Sequence, residues 1–451
     1  MKQSDEEPPG GPKLEVVPRI GHHRRLNTTA IALLQLGGTG LSFLGWALVA
    51  NVSSPMDSII AVRAYAWALL IFQPLSLGLP YVLPNEYRRG TSGTESRRRA
   101  ILLVLLAVTI PTAVTGAALT FGIADTWKSL GLAVLLAAVT CLAIAIQQIA
   151  RVRQRPVIML FATLYTVLLP AAWYLSETAS DVGLPASVQI ATAVLVVYFL
   201  LLALFLRKSI PAREQGSAIV STVNQVLRTS LSLVPHLFAF GALMQGIRVL
   251  GSLSTDSQLV NQTHLLMLVI SAGFTLTTTV HTLLAVRVQT LSAAELPHAL
   301  RRTAMRYLFS GLISSAVVLT LLLLPVERVL PGIASVSTIE IGALTLLPGL
   351  LSAYYFLSSL FIRFGFGGTL SAVTVTVVLF LTTGYLAWMP FLEVGTLILL
   401  YTSAMVLLLA LMVLAAMGRR KLRMLPILFP IAITTLGAVP GATVVLVGLL
   451  L

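Results

Sequence analysis

Cysteine is almost absent: Cys141 is the single one in 451 residues, so neither an intrachain disulfide nor a cysteine-held metal cluster can form. Charge is scarce as well. Asp, Glu, Lys and Arg make up 10% of the chain against 57% hydrophobic residues, and the mean hydropathy is +0.92. Soluble chains carry about a quarter charged residues, so this composition belongs to an all-α polytopic membrane protein. Acidic residues are missing where they would matter most. All 16 Asp and Glu fall in the N-terminal tail, in loops or at the ends of apolar stretches. A carboxylate deep in a span marks an ion path, so its lack counts against proton- or sodium-coupled carriage of cations.

Other absences exclude whole mechanisms. There is no G-x-x-x-x-G-K-[ST] stretch and no loop long enough for a nucleotide-binding domain, which excludes ATP-driven work within this chain. Asp57 stands alone in its short loop, whereas a membrane glycosyltransferase or polymerase would show clustered acids or a large outer domain. Histidines 22, 23, 236, 264, 281 and 298 have no metal-ligand spacing with carboxylates. No metal, no cofactor and no enzymatic activity are expected.

What is present is a succession of apolar runs. Residues 1–26 are polar, with Pro8, Pro9, Gly10 and Gly11, and read as a cytoplasmic tail rather than a cleavable signal. Thirteen spans follow: 27–51, 58–84, 100–123, 130–149, 157–175 and 184–206, then a linker at 207–215, then 216–248, 263–286, 307–325, 339–362, 367–388 and 394–417, and last 424–451. Spans one to six (27–206) and seven to twelve (216–417) have similar lengths and similar placement of basic loops. They form two six-helix bundles, and residues 424–451 add a C-terminal span. Gln73, Pro74, Gly78 and Pro80 bend the second span.

The net charge of +14 has a membrane explanation. All of the 30 Lys and Arg except Arg63, Lys128, Arg228, Arg248 and Arg328 fall on one side of this layout. That bias orients the protein in the cytoplasmic membrane with its N-terminus inside, and nucleic-acid binding is unnecessary.

The most unusual span is the seventh. Ser221, Asn224, Arg228, Ser232 and His236 recur every three or four residues, which places them on one helix face. An arginine in an apolar helix costs roughly 2.5 to 3.5 kcal/mol on insertion scales unless it meets water, a partner or a ligand. Counted from Gly216, Arg228 lies about 18 Å along the helix, near mid-bilayer. If the helix starts at Pro211, the side chain can instead snorkel to headgroups. Arg63 has the same two readings near the opposite interface. Span eight gathers Thr275, Thr277, Thr278, Thr279 and Thr282 around His281. The candidate cavity is lined by Arg63, Gln73, Asn224, Arg228, Ser232, His236 and His281. Its cationic sign suits an anionic ligand, because guanidinium groups pair with phosphate through a two-pronged fork. Arg248, at the rim of span seven, is expected to meet lipid phosphate.

Leu36-Gly37-Gly38-Thr39-Gly40, Gln73-Pro74-Leu75-Ser76-Leu77-Gly78-Leu79-Pro80 and Asn85-Glu86-Tyr87-Arg88-Arg89 are similar to the multidrug/oligosaccharidyl-lipid/polysaccharide (MOP) exporter superfamily. The polysaccharide flippase branch is the nearer likeness. The order of span seven, short link and threonine-rich span eight adds to it. The resemblance implies two bundles that alternate access and move a lipid-linked oligosaccharide, whose phosphate is held by cavity arginines. Arg63 and Arg228 are the matching positions. Glycosyltransferases or a polymerase of the same pathway would be partners, alongside membrane lipids. Two rival readings stand beside it: a MATE-like drug or metabolite antiporter, and a non-transporting subunit of a polysaccharide-assembly complex.

Overall fold

A computed structural model describes residues 22–418, apart from residue 54 and the stretches 89–93, 179–183, 212–218, 232–233, 291–295, 324–336, 365 and 389–392. The N-terminal tail up to residue 21, part of the linker, Ser232 and the C-terminal segment 424–451 lie outside the described residues. Within them every regular element is helical.

The first group comprises α1 (His22–Val52), α2 (Pro55–Leu75), α3 (Leu79–Arg88), α4 (Thr94–Leu119), α5 (Asp125–Arg153), α6 (Pro156–Thr163), α7 (Tyr165–Thr178) and α8 (Leu184–Lys208). Next come α9 (Ile219–Leu231), α10 (Val234–Met244) and α11 (Gly246–Ser252). The last group is α12 (Ser257–Thr290), α13 (Leu296–Leu323), α14 (Thr338–Arg363), α15 (Gly367–Trp388) and α16 (Val394–Met417).

Two helices are the centres of packing, and their sequences say why. In α5, Ala133, Ala137, Ala138, Ala143 and Ala145 are fully buried, and such small side chains let α2, α4 and α8 approach closely. Its apolar window is 83% buried. The counterpart is α14, 89% buried in the same sense, with α12, α13 and α16 packed against it. Ser337 starts α14 with a capping box. Its Oγ accepts from the Glu340 N–H, and its own N–H donates to Glu340 Oε2 at 2.7 Å. Two orphan donors of the first turn are thereby satisfied.

Among the described residues ten helices are long and apolar enough to cross a membrane, or eleven if the bent pair α6 and α7, at 43°, counts as one. The expectation of thirteen spans is corrected to that extent. The thirteenth lies outside the described residues, and so do residues 232–233 between α9 and α10 of the seventh; α10 gives way to α11 at Gln245, and none of the three helices is long enough alone. Helices also outrun their apolar cores. The start of α4 takes in Arg97, Arg98 and Arg99, and α13 includes Arg301, Arg302 and Arg306. Charged residues beyond the apolar boundary continue the backbone hydrogen bonding without entering the apolar layer.

Candidate functional site

The second span breaks where its prolines predict. Pro74 lacks an N–H and crowds the preceding turn, and α2 ends one residue later. Leu77 (φ 49°) and Gly78 (φ 70°) then take left-handed backbone before Pro80 restarts the helix in α3. Ser76 stitches the break: its hydroxyl donates to the Gln73 carbonyl at 2.8 Å and accepts from the Gly78 N–H at 3.3 Å.

This break meets α9 and α10 of the seventh stretch. A Cβ on Gly78 would stand 2.8 Å from the Ser230 carbonyl oxygen at the end of α9, and one on Gly241 of α10 would stand 2.7 Å from Gln73 Cγ. Glycine at both positions lets the interrupted second span seat closely against α9 and α10. Discontinuous helices at the junction of two bundles are where transporters build their binding sites.

The residues of the polar stripe have different surroundings. Asn224 and Arg228 stand exposed on α9, while Val226 and Ser230 on the other side are buried. Gln225 accepts from Arg97 Nη2 of α4 at 3.1 Å. Ser232 lies outside the described residues, between α9 and α10. Beyond that point His236 belongs to a different environment, the packed interior of the second group. Tyr354 Oη lies 3.3 Å from its Nε2 and Thr374 Oγ1 lies 3.4 Å from its Nδ1.

His281 joins the same layer. Its Nδ1 is 2.9 Å from the Tyr307 hydroxyl, and its ring stacks on Tyr355 at 4.1 Å with an interplanar angle of 6°. Phe240 stacks on Tyr354 at 4.7 Å and approaches Tyr355 at 5.7 Å. The tandem Tyr354-Tyr355 therefore bridges the two histidines, a role with no signal in the sequence beyond two adjacent aromatics.

Arg63 is elsewhere. Its Nε donates to the Ser252 carbonyl at 3.2 Å and its Nη2 to the Ser254 carbonyl at 2.6 Å, at the end of α11. Trp67 Nε1 donates to Ser252 Oγ at 3.0 Å, and Ser58 and Asn261 exchange a side-chain bond at 3.2 Å. From Arg63 to Leu75 is about 18 Å of helix, so the structure does not bring Arg63 together with Arg228. Instead Arg63, Trp67 and Ser58 latch the first group to α11 and α12 at the arginine-poor end. In a Cys141→Ala background, the pair Ser58→Cys with Asn261→Cys is expected to crosslink under mild oxidation or with a short bifunctional thiol reagent. Gel mobility after protease nicking of the 207–215 linker reads the result, and an uncrosslinked pair refutes the latch.

Arg248 is the residue whose sequence reading changes most. Rather than facing lipid phosphate at a rim, it is 2% exposed, with Cζ 5.0 Å from the Tyr65 ring centroid and Nη1 donating to Gln245 Oε1 at 2.7 Å. Arg98 pairs with Glu95 and Lys128 with Asp125, both at helix ends. Neither pair reaches Arg63, Arg228 or Arg248. No group of His, Cys, Asp and Glu that could hold a metal occurs among the described residues.

No family model matches the sequence, and no curated protein matches it. Solved structures do match in fold. The MATE multidrug transporter DinF-BH is 14% identical, with a TM-score of 0.58 over 91% of this chain and 97% of that one. A eukaryotic MATE transporter is 12% identical, with a TM-score of 0.55 over 92% and 99%. A MOP-superfamily transporter from Pyrococcus furiosus, described as having a binding pocket of reverse polarity, is 15% identical, with a TM-score of 0.51 over 90% and 97%. The chain has the fold of these proteins over nearly its whole length.

Proposed function

We propose that the protein is a multi-pass transporter of an anionic lipid-linked saccharide. Its two bundles alternate access, so that the head group crosses while the lipid stays in the bilayer. The observation that supports this reading most is the sign of the charge: Arg63 lies within an apolar candidate span, Arg228 and Arg248 stand on the short helices α9 and α11, and no described carboxylate pairs with them. Arg228 and Asn224, exposed one turn apart on α9, offer a fork and an amide to a phosphate or pyrophosphate. The Pyrococcus furiosus neighbour, described as having a pocket of reverse polarity that suggests a different function, is consistent with one fold serving ligands of different charge.

The rival reading is efflux of a small molecule, favoured by the description of DinF-BH as a multidrug transporter. The two separate in proteoliposomes containing the purified chain. Translocation of a labelled lipid-linked saccharide supports the first reading. Gradient-driven export of a cationic dye with no saccharide translocation supports the second, and neither activity supports a non-transporting subunit of an assembly complex.

The proposed orientation, in the cytoplasmic membrane with the arginine-rich loops inside, has its own test. Cys141 is fully buried, so Cys141→Ala gives a background that thiol reagents do not read. A membrane-impermeant maleimide is expected to label Thr255→Cys in intact cells and Lys208→Cys only after permeabilisation. The reverse pattern overturns the orientation.

A further inference from the structure

Between the two groups, at the arginine-poor end, several polar atoms are sealed away with nothing to bond. Arg248 Nε and Nη2, both ring nitrogens of His264 and the Trp46 indole Nε1 are buried and have no hydrogen-bond partner. Their residues are 2%, 1% and 1% exposed. The three side chains surround one ring. Arg248 Cζ lies 5.0 Å from the Tyr65 centroid, His264 5.8 Å and Trp46 5.5 Å, and the Trp46 and His264 centroids are 4.3 Å apart.

The details of Arg248 specify what is wanting. Gln245 takes Nη1, which leaves free the edge formed by Nε and Nη2, the two-pronged edge that binds anions. The Tyr65 face attracts the cation but accepts neither of these N–H groups. A buried guanidinium requires a counter-charge as well as acceptors, and a water molecule supplies only acceptors. No described acid supplies the charge: the pairs Arg98–Glu95 and Lys128–Asp125 lie at other helix ends.

We propose that Arg248, Trp46 and His264 bind a small monovalent anion of chloride size in an occluded site between the two bundles. The closure sets the size: with its members at most 2% exposed and Tyr65 at 9%, the site excludes a saccharide or a lipid headgroup. Trp46 is on α1, Tyr65 on α2, Arg248 on α11 and His264 on α12, so the anion ties both groups together beside the Arg63 latch. It is therefore bound only while this end is closed. The inference is independent of what the transporter carries.

The test uses the full chain, purified in detergent and exchanged into gluconate. Chloride or bromide added at constant ionic strength is expected to raise the thermal unfolding midpoint by a few degrees, saturably, and bromide to give an anomalous peak within hydrogen-bond reach of Arg248. Arg248→Met is expected to abolish the response. Trp46→Phe keeps the aromatic packing and removes one donor, so its half-saturating chloride concentration should rise about tenfold. It serves as the readout even if Arg248→Met does not fold. A wild-type midpoint that ignores halide, a response to phosphate or sulfate but not to chloride, or an unchanged half-saturating concentration in Trp46→Phe overturns the proposal.

Discussion

Replacing Arg228 with alanine is expected to lower translocation of the lipid-linked saccharide roughly 10- to 100-fold while the protein folds and inserts as before. Both halves of that expectation follow from where Arg228 stands. It is exposed on α9, and no described partner would be orphaned by its removal. Exposed substitutions usually change stability by no more than about 0.5 kcal/mol, and alanine is the better helix former. A hydrogen bond to a charged group is worth about 1.5 to 3 kcal/mol, which converts to the stated fold loss at about 1.4 kcal/mol per factor of ten. Arg228→Lys keeps the charge and loses the fork, so it should retain part of the activity. Initial rates in proteoliposomes, with thermal midpoints and membrane yield as controls, decide it. Unimpaired translocation by Arg228→Ala would remove the central claim of the proposed function.

The reach of the sequence differs between elements for physical reasons. Long apolar runs such as 130–149 and 394–417 declare themselves because a bilayer demands them, and α5 and α16 follow. The break in the second span was also legible, since Pro74, Gly78 and Pro80 act on the local backbone alone. The turn at Gln245 that separates α10 from α11 has no proline to announce it. Nor does the spacing of Arg228 and His236 tell their surroundings apart: the first is exposed on α9, the second lies against Tyr354. What no local signal could supply is pairing over distance. Arg63 reaches Ser252 and Ser254 across some 190 residues, and the burial of Arg248 depends on four helices arriving together.

The largest loss of stability is expected from Gly78→Val, at the point where the break in the second span meets α9. Gly78 holds φ 70°, a region that costs an L-residue about 1 to 2 kcal/mol and suits a β-branched side chain least. The added Cβ would also fall 2.8 Å from the Ser230 carbonyl oxygen, which is backbone and cannot rotate away. Overpacking of this kind adds about 1 to 3 kcal/mol. Either α9 withdraws from the second span or Gly78 changes conformation, and Leu77, already at φ 49°, is in no position to absorb the change. Gly78→Ala meets the same oxygen with a smaller, unbranched group and should lose less. Thermal midpoints of the purified variants should rank wild type above alanine and alanine above valine. Because α9 also carries Asn224 and Arg228, translocation should fall in the same order, and faster than stability alone accounts for, in Gly78→Ala that has folded. A valine variant as stable as wild type would show that the break in the second span does not seat against α9, and with it would go the reason for placing Arg228 beside that break.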